Sequence, residues 1–346
     1  FRFDSAPFLW KKLGTDSQNL PEAHDIIAVY RAILSMVAPG VLIKAEAIVP
    51  SQYLVRYLGE GSNHGKECHL AYHTTLMTLL WCALAKGDAT PLSKVLEEMP
   101  RVSESTGWIT YVRCHDDIGW GVLMDETNGL KPAEWNKLAT EVNDFYAGKT
   151  PGSFARGAAF QTTENHTVHG TSGSAASLCG IEQALESGDG QALEMAIRRI
   201  LLMYAVIFAH GGIPLINMGD ELGQTNDWNY KTDPMYDGDG RWLHRGKMDW
   251  NKAELRKQKG TPQQRIFDGL VELATLRKRH FPARMTSPEI FTTGNAAVLG
   301  FQHGHKKAML ANFSDQPQKA TFQATGDTWV NCRTGNVIPA EGVMLQ

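Results

Sequence analysis

Three stretches of this chain share a pattern that few folds accommodate: a short apolar, strand-like run that ends in a carboxylate. They are Phe1-Arg2-Phe3-Asp4, Val41-Leu42-Ile43-Lys44-Ala45-Glu46, and the run from Trp108 through Arg113 and Cys114 to His115, Asp116 and Asp117. Period-2 alternation puts Arg2 and Asp4 on one face of the first strand and Phe1 and Phe3 on the other, and it sets Lys44 on the same side as Glu46. Adjacent carboxylates such as Asp116 and Asp117 repel each other and lose hydration unless a cation engages them. A single acidic pair of this kind is ordinarily a capped loop. Three strand ends with the same cargo, each followed by a helical stretch, point instead to a barrel of parallel strands, whose C-terminal ends all face one rim.

The rest of the chain carries the same rhythm. Ile26, Ile27, Tyr30, Ile33, Leu34 and Val37 recur at helical spacing, which predicts a helix over 19–39 stopped by Pro39-Gly40. Strands are expected at 41–46, 68–73 and 107–114, with helices at 51–58, 74–86 and 90–99 and a Gly-rich loop at 60–66. Such alternation argues for a parallel sheet. The pattern then breaks. Residues 121–174 are polar, contain Pro132 and show no sustained period, so they read as a functional insertion. A helix resumes over 191–210, followed by a strand at 211–218, a long loop at 219–247 rich in Asp, Asn and Gly, and an amphipathic helix at 262–279. After Pro282, short alternating runs at 297–302, 308–313, 319–324 and 328–332 predict an antiparallel sandwich. Only five barrel strands are counted in this way, whereas closure takes eight.

Composition limits the partners. With 346 residues, 42% of them hydrophobic, the chain can bury a large core. Its formal charge of −3 and the absence of any Lys/Arg run argue against nucleic acid or an anionic membrane. No run of about 20 apolar residues is present. The five cysteines are scattered without CxxC spacing, which argues against a disulfide framework or zinc site and fits a reducing, cytoplasmic compartment. Cys114 has the type of a thiol nucleophile, but the neighbouring carboxylates would raise its pKa and blunt it. Asn165 and Asn312 match the glycosylation pattern, a weak signal alone.

The motifs FRFDSAPFLWK, GTDSQNLPEAH, KAEAIV, YVRCHDDIGW, GSFARG and GGIPLINMGDELG run through nearly the whole chain. Together they resemble the α-amylase superfamily of glycosidases (glycoside hydrolase family 13), and the amylosucrase branch in particular. The resemblance implies an α/β fold: a (β/α)8 TIM barrel of which the C-terminal five strands are present, an inserted subdomain after strand 7, and a C-terminal antiparallel β-sandwich domain. The expected divisions are 1–283 for the partial catalytic barrel, with 121–174 as the insertion that covers the pocket, and 284–346 for the sandwich. The missing three strands are expected to precede Phe1.

The resemblance also assigns roles. Asp4 is the expected nucleophile, Glu46 the acid/base and Asp116 the carboxylate that stabilises the transition state. Arg2 is expected to keep Asp4 ionised, and the apolar neighbours of Glu46 to raise its pKa enough for proton donation. His115 is expected to bond the sugar of the glucosyl site and Asp117 to border the acceptor side. Arg241 is expected to close the glucosyl end by pairing with a carboxylate outside the chain. Gly219-Asp220-Glu221 is read as a turn. No metal or cofactor is expected. The implied reaction is retaining α-glucosyl transfer from sucrose to an α-glucan or maltooligosaccharide. The alternatives are a sucrose or α-glucoside hydrolase on the same scaffold, or a catalytically inactive chain. Where the amylosucrase pattern carries an acceptor-side arginine, this chain has Gly170, flanked by His166 and His169. That difference is expected to favour water as acceptor and to be reversed by Gly170→Arg.

Overall fold

The computed structural model describes residues 1–123, 131–162, 168–280, 287–304, 307–322, 329–334, 336–338 and 343–345. The strands up to residue 215 are β1 (Arg2–Phe3), β2 (Lys44–Ala45), β3 (Leu70–Tyr72), β4 (Gly107–Tyr111), β5 (Ile118–Gly119), β6 (Ala158–Thr162), β7 (Val168–Ser172) and β8 (Ile213–Leu215). Five of them form one sheet in the order β1-β2-β3-β4-β8, every pair parallel. Strands that neighbour one another in chain order, linked by helices, form part of a (β/α) barrel wall. The register pairs Phe3 with Ala45 and Ala45 with Ala71. One step further along, Asp4 and Glu46 therefore leave adjacent strands at the same level, about 5 Å apart at the backbone.

Helices cover one side of this sheet. Pro21–Val37 starts with proline at its first position, where the missing N–H costs nothing. Thr74–Lys86 is buried along almost its whole length and ends at Gly87, whose φ of 63° makes it a left-handed cap. In Gly190–His210 the Asp189 carboxylate accepts from the backbone N–H groups of Gln191 and Ala192. The core between these helices is built on Trp81, Trp120, Tyr146 and Tyr204, all fully buried. Each polar atom of the first three has a partner: Trp81 Nε1 donates to the Val112 carbonyl at 2.9 Å, Trp120 Nε1 donates to Thr171 Oγ1 at 2.9 Å, and Tyr146 Oη donates to the Trp81 carbonyl.

Between 121 and 174 the described residues are more regular than their composition suggests. Pro132–Tyr146 is a helix of 15 residues in which Ala139, Val142 and Tyr146 are buried at helical spacing. Pro132 opens this helix instead of breaking it, and the Glu134 carboxylate folds back to accept from the Lys131 N–H at 3.0 Å. Strands β5, β7 and β6 form a separate antiparallel sheet beside it. Beyond residue 286 the pairings are also antiparallel. Val298–Gln302 lies between Glu289–Ile290 and Ala308–Asn312, while Gln318–Ala320 pairs with Val343–Leu345 and Trp329–Val330 with Val337–Ile338. The last two partners were too short to stand out by alternation. Asn312 is buried, and its Nδ2 donates to the Gln316 carbonyl, which closes it to glycosylation; Asn165 lies outside the described residues. Among the described residues no helix is long and apolar enough to cross a membrane.

Candidate active site

The sheet brings Asp4, Glu46 and Asp116 around one guanidinium. Arg2 hydrogen-bonds Asp4 through Nη1, and its Nη2 lies 3.8 Å from Glu46 Oε2 and 4.0 Å from Asp116 Oδ2. Asp4 is the open member, 73% exposed at its side chain, against 15% for Glu46 and 16% for Asp116. Directly after Asp4, Ser5 adopts a left-handed backbone with φ 49°. That unusual geometry aims its N–H at Glu46 Oε2, 2.6 Å away. Burial is the largest influence on Glu46 and raises its pKa; the Ser5 bond and the Arg2 charge only partly oppose it.

A concave pocket opens over Arg2, Glu46 and Asp116, with Asp4 outside its lining. Ile48, Tyr72, Met77 and Tyr111 supply an apolar wall, and Arg2, Glu46, His115, Asp116 and Asp117 the polar one. Such a mixture suits a sugar ring, whose faces are apolar and whose rim is hydroxylated. His115 is exposed and sets Nε2 3.2 Å from Asp116 Oδ2. Asp117 is driven to a raised pKa chiefly by burial. Burial, more than the adjacent carboxylates, also raises the Cys114 thiol, so it is no thiolate nucleophile at neutral pH. Donor atoms of Cys114, His115 and Asp116 lie within 4.8 Å of one another, a set that by type suits a metal ion. Three guanidiniums already engage the Asp116 carboxylate and compete with a cation there.

Two of those guanidiniums come from the long loop at 219–247. Arg241 Nη1 is 3.3 Å and Arg245 Nη2 3.1 Å from Asp116 Oδ1. Arg241 also forks onto Asp239 through Nε at 2.9 Å and Nη2 at 2.8 Å, and this bond depresses the Asp239 pKa. Within the chain, Arg241 thus pairs with the carboxylates of Asp116 and Asp239. Asp239, His244, Arg245, Arg113 and Ser5 were not singled out by the sequence. The only available hint for the loop residues was the density of charge in Gly238-Asp239-Gly240-Arg241-Trp242-Leu243-His244-Arg245.

Asp220 and Glu221 lie apart from this cluster. Asp220 is buried, accepts from Tyr204 Oη at 2.6 Å, and is pushed up to about 7 by desolvation, while Glu221 accepts from the Gly219 N–H. They hold their own turn together.

The structure corrects the expectation for Gly170. A Cβ built there would lie 2.1 Å from Asp117 Oδ2 and 2.8 Å from the Ile118 carbonyl oxygen. Position 170 is packed against the candidate site from behind and has no room for any side chain, so it does not present an acceptor-side group. Its neighbour His169 is exposed, and His166 lies outside the described residues. Gly170→Arg is therefore expected to disrupt the β5–β7 pairing instead of restoring an acceptor contact, and even Gly170→Ala to cost about 1–3 kcal/mol through overpacking. Urea or thermal midpoints check this; an alanine variant as stable as the parent would show that Asp117 moves aside freely.

No family model matches the chain. A glucosylglycerate phosphorylase of Escherichia coli K12 is 27% identical over 302 residues, 86% of this chain and 49% of that protein. The trehalose synthase/amylase TreS of Mycobacterium tuberculosis is 31% identical over 137 residues, 40% of this chain and 23% of its own length. Among solved structures, sucrose 6F-phosphate phosphorylase from Thermoanaerobacter thermosaccharolyticum superposes with a TM-score of 0.66 at 18% identity, covering 99% of this chain and 60% of that one. An α-amylase from H. orenii gives a TM-score of 0.55 at 11% identity over 96% of this chain and 54% of that one. The chain thus spans at most about half the length of these two curated relatives. Similarity to a glucosylglycerate phosphorylase along most of the sequence, and a partial barrel shared with an α-amylase, agree with the resemblance of the motifs to the α-amylase superfamily of glycosidases.

Proposed function

We propose that this site carries out retaining α-glucosyl transfer, with sucrose as donor and an α-glucan or maltooligosaccharide as acceptor. The observation that supports it best is the unequal setting of two carboxylates on one arginine: Asp4 open and bonded to Arg2, Glu46 sheltered with a raised pKa. An exposed, ion-paired carboxylate is suited to attack C1 of the sugar. A desolvated carboxyl that keeps its proton is suited to protonate the leaving oxygen and later to activate the acceptor. Asp116, held by Arg241 and Arg245 and hydrogen-bond distance from His115, is placed to bind sugar hydroxyls as positive charge develops at C1. Asp117 lines the same pocket, and Arg241 reaches it through its contact with Asp116. In this reading residues 121–174 form a subdomain over the pocket and 284–346 a separate domain.

A second reading, phosphorolysis, is favoured by one observation: the curated relative that aligns with 86% of this chain is a phosphorylase. One experiment decides between them. The protein is incubated with sucrose, with and without glycogen and with and without inorganic phosphate, while glucose, fructose and glucose 1-phosphate are measured. Transfer gives fructose in excess of glucose and a growing glucan. Hydrolysis gives the two sugars in equal amounts, and phosphorolysis gives phosphate-dependent glucose 1-phosphate. No release from sucrose, maltose or an aryl α-glucoside would overturn the proposal.

A further inference from the structure

We propose that His244 is a positioning residue of this site: with Arg113 it locks the Asp116 peptide onto the end of β7 and thereby aims the Asp116 carboxylate at Arg2. The inference rests on the reading of Asp116 as a carboxylate of the reaction.

Four groups form a closed ring of hydrogen bonds. Arg113, 1% exposed, donates from Nε to the Gly173 carbonyl at 3.0 Å and from Nη2 to the Asp116 carbonyl at 2.8 Å. His244 accepts from the Gly173 N–H at Nδ1, 3.3 Å away. An imidazole that accepts at Nδ1 carries its proton on Nε2. That Nε2–H faces the Asp116 carbonyl at 3.1 Å and the His115 carbonyl at 3.2 Å. The Gly173 peptide and the Asp116 peptide are thus bridged twice, once by each side chain. Asp116 belongs to the turn that leaves β4, and Gly173 follows β7, so the ring ties the barrel rim to the neighbouring antiparallel sheet.

One short turn handles Asp116 at both ends. Gly240–His244 is a 3-10 turn capped by Asp239, which accepts from the Arg241 N–H at 3.0 Å. From it, Arg241 and the adjoining Arg245 reach the Asp116 carboxylate, while His244 reaches its carbonyl and Arg245 Nε donates to the His115 carbonyl at 2.6 Å. A neutral donor suits position 244, since Arg113 and Arg245 already bring two positive charges to the adjacent Asp116 and His115 carbonyls. Histidine meets that need: burial, then the Arg113 charge, pushes it down to about 2. Lysine or arginine would add a further charge beside carboxylates that Arg241 and Arg245 already engage.

The test compares His244→Phe and His244→Gln with the parent. Loss of both ring nitrogens is expected to lower kcat for an α-glucoside about 100-fold with a much smaller change in KM, the signature of misaligned chemistry. Glutamine, which keeps a donor, is expected to recover most of it. Hydrogen exchange of the 115–119 amides and of Gly173 is expected to quicken in His244→Phe while the helix Gly190–His210 keeps its protection. This arm needs no turnover, so a parent inactive on every α-glucoside would sink the functional reading and still leave the lock decided. Should the phenylalanine variant fail to fold, 15N spectra of the parent serve: a protonated Nε2 with a bare Nδ1 at pH 7 is expected, and the other tautomer or a charged ring would overturn the proposal. Unchanged exchange at 115–119, or parental kcat, in folded His244→Phe would overturn it as well.

Discussion

Glu46→Gln is expected to lower turnover of an unactivated α-glucoside by about 10²–10⁴-fold, the usual worth of a positioned acid/base. Glutamine keeps the shape and can still receive the Ser5 N–H, so the loss reports proton transfer and not a collapsed site. On an aryl α-glucoside with a good leaving group the first step needs little protonation, and azide attacks the glucosyl intermediate without a base. Added azide should therefore restore the rate in Glu46→Gln. It should not do so in Asp4→Asn, which cannot form the retaining intermediate at all. The pH profile carries the same information. Glu46 donates its proton only when protonated, so activity should fall as pH rises through its raised pKa, and that alkaline limb should disappear in Glu46→Gln. Near-parental turnover of sucrose in either variant would remove that residue from the reaction.

His210→Phe is expected to remove a large part of the protein's sensitivity to acid. His210 is buried, its ring centroid 5.0 Å from that of His73 and 6.1 Å from that of Phe301, and its Nδ1 has no hydrogen-bond partner among the described residues. Desolvation, with the charges of His303 and Arg277 facing it, lowers its pKa to about 3 from 6.5. The unfolded chain therefore binds a proton first. The stabilising contribution is complete above pH 6.5 and drains away as pH falls toward 3, at about 1.4 kcal/mol per pH unit. Between pH 7.5 and 4.5 that amounts to about 3 kcal/mol, an effect phenylalanine abolishes while filling the same space. Asp220 acts in the opposite sense, since a carboxyl raised to about 7 stabilises the fold as pH drops below that value. It does so equally in both proteins, and it cancels from the comparison. Urea midpoints at the two pH values measure the difference. Equal pH dependence in parent and variant would mean that His210 is already protonated or solvated in the fold.

Much of the local architecture was legible before any coordinates. Ile27 and Leu34 recur at the helical period, and they lie in the helix Pro21–Val37. The apolar runs that end at Asp4 and Glu46 are strands, and parallel pairing carries both carboxylates to one rim. Where the reading fell short, the cause was local too. Pro132 opens a helix because the first position has no N–H to lose, and a search for breakers misjudges it. Gly170 marks a missing side chain in the sequence, but only the packed Asp117 shows that none fits.

What the chain itself determined is which residue types stand at each strand end and which face each side chain takes, because the two-residue period of a strand is a local property. What tertiary structure decided is how those groups behave. Asp116 turns back toward Arg2 because Arg113, His244 and Arg245, scattered over more than 130 positions of sequence, converge on the His115 and Asp116 carbonyls. The pKa of Glu46 is raised by what surrounds it in space. Desolvation and charge fall off with distance through the folded molecule and not along the chain, so only the fold sets the acidity of a carboxylate.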